Sequence, residues 1–266
     1  MEFEPASGAP PVRPAPENKL KKLLMPLGAL GILLWKFKVA VFAGLKFLPV
    51  LLKTGGSVFL MIWVYSMNWG WWYALGFVLL ILVHECGHLI AARRLGLNVG
   101  APVFIPFMGA FIALKEAPRN AWVEAQVGIG GPLLGSVGAV VCMLLEDVTH
   151  NPMFRALAYS GFLLNLFNLI PITPLDGGRV ATALSPWLWV IGAVLAGLLL
   201  VAHFNFILLL IVLLAIPRLW ALFRGHSPEE ERYFEVTPSQ RWTMGVLYFG
   251  LAGALALGMK ISLVRM

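Results

Sequence analysis

The chain has 266 residues, and its composition excludes an ordinary soluble domain. Hydrophobic residues make up 59% of it and charged residues only 12%, with a mean hydropathy of +0.83. A water-facing surface needs about a quarter charged residues, so the composition predicts an all-α polytopic membrane protein. The net charge of +7 does not indicate nucleic-acid binding, because the basic residues flank apolar segments instead of forming one patch.

The first 53 residues fall into two segments. Residues 1–18 are rich in Pro, Ala and Glu and are predicted to be a disordered tail. Residues 19–53 are apolar but interrupted by lysines, which favours a basic interfacial or re-entrant segment over a clean span. Whether residues 23–52 cross the membrane stays open.

Residues 54–222 are predicted to form the core, followed by a cytoplasmic loop at 223–240 and a C-terminal transmembrane helix at 241–266. About six to seven transmembrane helices are expected from the apolar stretches, which lie at 55–69, 72–92, 121–145, 154–172, 186–203, 204–222 and about 241–260. Residues 100–116 differ, because Pro and Gly interrupt a run rich in Val, Phe and Ile. They predict a short membrane-associated β-hairpin that turns near Met108-Gly109.

The basic residues give this layout an orientation. With a cytoplasmic N-terminus and a reversal at each span, the cytoplasmic side receives most of the 20 Lys and Arg residues. The N-terminal share of that count depends on residues 23–52 not crossing. We expect a multi-pass protein of a bacterial cytoplasmic membrane.

His84 and His88 stand four residues apart in a predicted span. On a helix this spacing puts both imidazoles on one face, one turn apart, where both can bind one zinc ion. Glu85 is offset around the helix and is suited to act as a general base on a water molecule. The alternative is a helix end at the membrane interface, with the following arginines as anchors.

Asp176 is the candidate for a third ligand, because a catalytic zinc site usually has three from the protein. It lies in the segment N-L-I-P-I-T-P-L-D-G-G, where two prolines interrupt a helix and Gly177-Gly178 allow close backbone approach. The alternative is a helix N-cap or turn residue. The other aspartate, Asp147, lies in the polar segment E-D-V-T-H-N and is interpreted as a solvated loop residue.

The H-E-C-G-H segment and the later N-L-I-P-I-T-P-L-D-G-G segment together resemble the motifs of the site-2 proteases, the intramembrane zinc metalloproteases. The resemblance covers roughly residues 55–220. It implies one Zn²⁺ per chain, held by His84, His88 and Asp176, with Glu85 as the general base. It also implies that Asn168 supports the metal ligands or stabilises an oxyanion; an interhelical hydrogen bond is the alternative.

The resemblance gives the hairpin a role as well. Its edge is expected to bind an extended substrate by strand addition, through Phe107, Met108, Gly109, Ala110 and Phe111.

The sequence departs from the family pattern in two respects. Gly135 follows Gly131 where the family's G-x-x-x-N pattern has Asn, which favours close helix packing over a polar contact with the site from this helix. About eight residues separate the spans at 121–145 and 154–172, and the C-terminal region is short. We therefore expect a minimal core form without PDZ or CBS domains.

The implied function is an intramembrane zinc metalloendopeptidase that cleaves transmembrane segments by zinc-activated water. Its expected partners are a transmembrane protein substrate, membrane lipid and an unidentified regulatory protein, but no nucleic acid. Two alternatives are a catalytically inactive zinc-binding regulator and a metal transporter. The presence of Glu85 argues against the regulator, and the lack of inverted repeats argues against the transporter.

Overall fold

The computed structural model describes residue 38 and residues 54–106, 109–114, 117–224 and 227–263. The predictions for residues 1–18 and 19–53 lie outside these residues, Lys38 excepted. The described part contains nine helices and one pair of strands, in the order α1 (Thr54–Trp69), α2 (Trp71–Arg94), β1 (Val99–Ile105), β2 (Gly109–Leu114), α3 (Ala121–Thr149), α4 (Pro152–Asn168), α5 (Asp176–Leu184), α6 (Leu188–Ala202), α7 (Phe206–Arg224), α8 (Pro228–Tyr233) and α9 (Pro238–Ile261).

Four described helices are long and apolar enough to cross a membrane, namely α2, α3, α7 and α9. Helix α6 is equally apolar in character but has only 15 residues. The predicted class, an all-α integral membrane protein, is confirmed. The count of six to seven crossing helices stays a prediction.

The hairpin prediction for residues 100–116 is also confirmed. Strand β1 pairs antiparallel with β2, and Ile105 lies opposite Gly109. The pair packs against α1 and α2.

Helix α3 is longer than predicted, and this corrects the assignment of Asp147 to a loop. Glu146 and Asp147 belong to the last turn of α3, and only His150 and Asn151 separate it from α4. The helix ends where His150 adopts a left-handed conformation with φ of 54°. The Asn151 side chain then caps α4 by accepting from the Met153 N–H at 3.0 Å. The polar residues Glu146 and Asp147 therefore continue the helix and do not end it.

The predicted loop at 223–240 contains helix α8. The Ser227 hydroxyl accepts from the Glu230 N–H while the Glu230 carboxylate accepts from the Ser227 N–H, a capping box that starts the helix. Thr237 and Gln240 form a second capping box at the start of α9, three residues earlier than predicted. Both boxes are visible in the sequence as S-x-x-E and T-x-x-Q.

Helices α2 and α3 cross at glycines, which lets their backbones touch. A Cβ atom added to Gly87 would overlap the Gly130 carbonyl oxygen, and one added to Gly130 would lie 2.8 Å from Ala91 Cβ. Lipid gives little hydrophobic drive for helix association, so such close contact is a main source of stability. The crossing lies beside His88 and fixes its helix against α3.

Candidate metal centre

The two histidines of the predicted motif lie side by side on α2. Their Nε2 atoms are 3.1 Å apart, and the residues are only 4% and 6% exposed. The helical spacing of four residues produces this arrangement, as the sequence predicts.

Asp176 is brought to the histidines although 88 residues separate it from His88. Its Oδ2 atom lies 3.1 Å from His84 Nε2 and 3.2 Å from His88 Nε2. The residue begins helix α5, which follows the interrupted segment at 169–175. The structure therefore joins the two sequence motifs in one place.

The glycine pair after Asp176 sets the position of α5. A Cβ atom added to Gly177 would overlap the Leu169 carbonyl oxygen, and one added to Gly178 would lie 2.5 Å from the carbonyl carbon of Ile172. From the other side, Trp189 Nε1 donates to the Gly178 carbonyl at 2.8 Å. These contacts hold the Asp176 end of α5 against the preceding backbone.

The outer nitrogens of both histidines have partners that assign their protons. His84 Nδ1 lies 2.8 Å from Asn165 Oδ1, and His88 Nδ1 lies 2.8 Å from the Val127 carbonyl oxygen. Both partners are acceptors, so both Nδ1 atoms donate N–H bonds. Each Nε2 atom then keeps its lone pair, and both lone pairs point toward Asp176.

The inner face of the site consequently consists of acceptors alone. The Oδ2 atom of Asp176 is buried and receives no well-aligned hydrogen bond from the described residues. Three acceptor atoms this close repel one another unless a cation lies among them. Two imidazole nitrogens and a carboxylate oxygen are ligands that zinc prefers, and at tetrahedral geometry they would lie about 3.4 Å apart. The spacing of 3.1–3.2 Å fits a zinc ion.

Glu85 lies beside the same atoms. The ligand atoms of His84, Glu85 and His88 are all within 4.8 Å of one another, and Glu85 is 7% exposed. A buried carboxylate next to a cation site can act as a base or as an additional ligand. Glu85 thus adds a second buried carboxylate beside the three acceptor atoms.

The other predicted site residues are less closely tied to this centre. Asn168 Nδ2 donates to the Leu164 carbonyl of its own helix at 3.0 Å, and no bond from it to another helix is found among the described residues. Gly109, Ala110 and Phe111 lie in β2, where they pair with Ile105, Phe104 and Val103. Phe107 and Met108 lie outside the described residues.

Asn165 is a site residue that the sequence did not single out. It is 1% exposed and bonds directly to His84. The sequence offers two asparagines three residues apart on α4, and no local pattern tells which of them faces α2. An indirect signal is Gly135, which stands where the family pattern has an Asn and lies against the Asn165 amide.

A second polar cluster lies near the start of α3. We define the Arg218 cluster as Glu124, Thr182, Arg218 and Tyr233. Arg218 Nη2 donates to Glu124 Oε2 at 3.3 Å and to Thr182 Oγ1 at 3.4 Å. The Tyr233 hydroxyl donates to Glu124 Oε2 at 2.7 Å. The cluster joins α3, α5, α7 and α8.

The comparisons with known proteins agree with this geometry. Residues 72–151 match the model of Peptidase family M50. The chain carries a Peptidase family M50 domain. The predicted resemblance to the site-2 proteases is confirmed.

Two relatives illustrate the extent of the similarity. A zinc metalloprotease of Methanocaldococcus jannaschii is 30% identical over 126 residues, which cover 44% of this chain and 36% of that protein. The stage IV sporulation protein FB of Bacillus subtilis is 30% identical over 105 residues, covering 39% of this chain and 36% of that protein. This chain thus spans about a third of the length of each.

The M50 domain match includes His84, Glu85 and His88 but ends before Asp176. The assignment of Asp176 to the same centre therefore depends on its distances to the two Nε2 atoms.

Proposed function

We propose that this protein is an intramembrane zinc metalloendopeptidase that cleaves transmembrane segments of membrane proteins. The observation that carries the proposal is the meeting of His84 Nε2, His88 Nε2 and Asp176 Oδ2 in a buried triangle, while both Nδ1 atoms face acceptors on the outer side. These three atoms would hold zinc. The names of the relatives, which include zinc metalloprotease, support the same reaction.

Bound zinc would act as a Lewis acid toward a peptide carbonyl and toward water. The chain's own contribution to proton transfer is Glu85. Its carboxylate takes one proton from water as the oxygen adds to the carbonyl carbon, and gives that proton to the amide nitrogen as the C–N bond breaks. The second proton of the water stays on the new carboxyl group, and Glu85 returns to its ionised form for another cycle.

The burial of the site decides which substrates can react. A peptide bond inside a transmembrane helix is shielded by the helix's own hydrogen bonds, so the substrate must unwind first. The antiparallel hairpin beside α2 supplies strand backbone to which an unwound segment can pair. We therefore expect single-span substrates with Gly or Pro in the helix to be cut most readily.

The experiment compares wild type with Glu85→Gln in liposomes that contain a single-span substrate with a central glycine. We expect Glu85→Gln to keep zinc and to lose cleavage by roughly 10²–10⁴-fold, the usual contribution of a general acid–base group. Glu146→Gln is the matched control, because this carboxylate lies at the far end of α3 and, among the described residues, forms its ion pair with Arg155, at 3.5 Å. It should cleave like wild type.

The other outcomes identify the alternatives. Equal cleavage by Glu85→Gln would refute the role of the base. A wild type that binds zinc and cuts no substrate would favour the zinc-binding regulator. Zinc flux into the liposomes without cleavage would favour a transporter.

A further inference from the structure

We propose that Asn165 is the positioning residue of the metal centre, holding His84 as a ligand through Nε2. This inference rests on the proposed function, because it concerns the same zinc site. Asn165 Oδ1 lies 2.8 Å from His84 Nδ1, and the residue is 1% exposed. The bond joins α4 to α2, 81 residues apart in the chain.

The orientation of the Asn165 amide is fixed from behind. Its Nδ2 donates to the Gly161 carbonyl at 2.7 Å, one turn earlier on α4. A flipped amide would point its oxygen at that carbonyl and its N–H₂ at His84. The Gly161 bond therefore keeps Oδ1 toward His84, where it can only accept.

An acceptor at Nδ1 determines which nitrogen of His84 is free. The single proton of a neutral imidazole is held at Nδ1, so the lone pair is at Nε2. Nε2 is the atom that faces Asp176 Oδ2, at 3.1 Å. Such outer hydrogen bonds fix the tautomer and ring orientation of metal-binding histidines.

Helix α3 is shaped to admit this amide. A Cβ atom added to Gly135 would overlap Asn165 Oδ1 and would lie 2.8 Å from the amide carbon and nitrogen. A side chain at position 135 would displace the amide from His84. The missing side chain at Gly135 on α3 therefore leaves the space that the Asn165 amide on α4 occupies.

Asn168 provides the contrast on the same helix. Its amide bonds to the Leu164 carbonyl, one turn earlier, and no described bond connects it to either histidine. The two asparagines share residue type, helix and local back-bond. They differ in the contact with His84, which makes them a matched pair.

The experiment measures zinc affinity by chelator competition on the purified full chain, together with the absorption spectrum after cobalt substitution. We expect Asn165→Ala to weaken zinc binding by roughly 10–100-fold, the usual cost of losing an outer partner, and to alter the cobalt spectrum. Asn168→Ala should keep zinc affinity within about twofold, whatever its effect on cleavage. Unchanged affinity and spectrum in Asn165→Ala would overturn the proposal.

Asn165→Asp tests the acceptor itself, because it retains an oxygen that can face His84 Nδ1. Zinc binding should be at least about threefold tighter than in Asn165→Ala but weaker than in wild type, because the second carboxylate oxygen replaces the N–H₂ group that donates to Gly161. A folded Asn165→Asp variant as weak as Asn165→Ala would overturn the positioning role. Failure of this inference is distinguishable from failure of the proposed function. If only the inference fails, wild type binds zinc and cleaves, and Asn165→Ala binds zinc as tightly as wild type. If the proposed function fails, wild type itself does not bind zinc or does not cleave.

Discussion

The two polar clusters of this protein differ in how their donors and acceptors balance. In the metal centre, two imidazole nitrogens and the Asp176 carboxylate face one another within 3.2 Å, and the acceptors at both Nδ1 atoms assign the imidazole protons to the outer side. In the Arg218 cluster, the guanidinium and the Tyr233 hydroxyl donate to the Glu124 carboxylate. The guanidinium also lies 4.8 Å from the ring centre of Trp189, which suits its charge.

The difference shows how a binding site can be told from a structural cluster in an apolar protein. Buried charges are expensive in either place, so each cluster needs compensation. The Arg218 cluster contains its own opposite charges and joins four helices, although Arg218 Nε itself has no acceptor among the described residues. In the metal centre, no described side chain donates a hydrogen bond to Asp176 Oδ2. An imbalance of acceptors is therefore the feature that points to a ligand.

The largest expected effect is on the unbalanced cluster. Replacing Asp176 with Ala removes one of the three proposed ligand atoms, so zinc binding should weaken by more than the roughly 100-fold that an outer partner costs. Zinc content of the purified protein, with and without a chelator step, measures this. Zinc held as tightly as in wild type would mean that Asp176 is not a ligand.

A smaller effect is expected in the balanced cluster. Arg218→Met should lower the free energy of unfolding by about 1–3 kcal/mol, because Glu124 loses its cation. The side chain of Arg218 is 37% exposed, which keeps the loss below that of a fully buried pair. Thermal unfolding in detergent measures the change.

Arg224→Met is the control for that change. This residue lies on the same helix and pairs with Glu230 at 3.5 Å, with 64% of its side chain exposed. Such an exposed pair contributes about 0–1 kcal/mol. Zinc should stay bound in both variants. If Arg218→Met lost zinc as fully as Asp176→Ala, the two clusters would be one functional unit.

The smallest expected effect is on how the stability of the protein changes at alkaline pH. Burial, together with the neighbouring Glu124 carboxylate, raises the pKa of Tyr233 above its ordinary value of 10.0. Because the folded-state pKa is the higher one, the contribution to stability is complete below pH 10 and decreases as the pH rises further. Tyr233→Phe should lose less stability between pH 9 and pH 11 than wild type does. Equal losses over that range would contradict the assignment.

Much of the metal centre could be predicted from the sequence because helix geometry is local. The spacing of His84 and His88 puts both rings on one face of any helix, and α2 shows this directly. Asp176 could be suggested because an acid between apolar segments needs a partner. The hairpin followed from residues that favour strands and break helices.

Other features needed the tertiary structure. Asn165 and Asn168 are indistinguishable by local pattern, and only the rotation of α4 against α2 decides that Asn165 meets His84. The same packing explains Gly135, whose missing side chain admits that amide. The sequence by itself determined the membrane class and the residue types of the metal centre, since composition and helical period act locally. Tertiary structure decided which asparagine contacts His84, because that depends on how two distant helices pack.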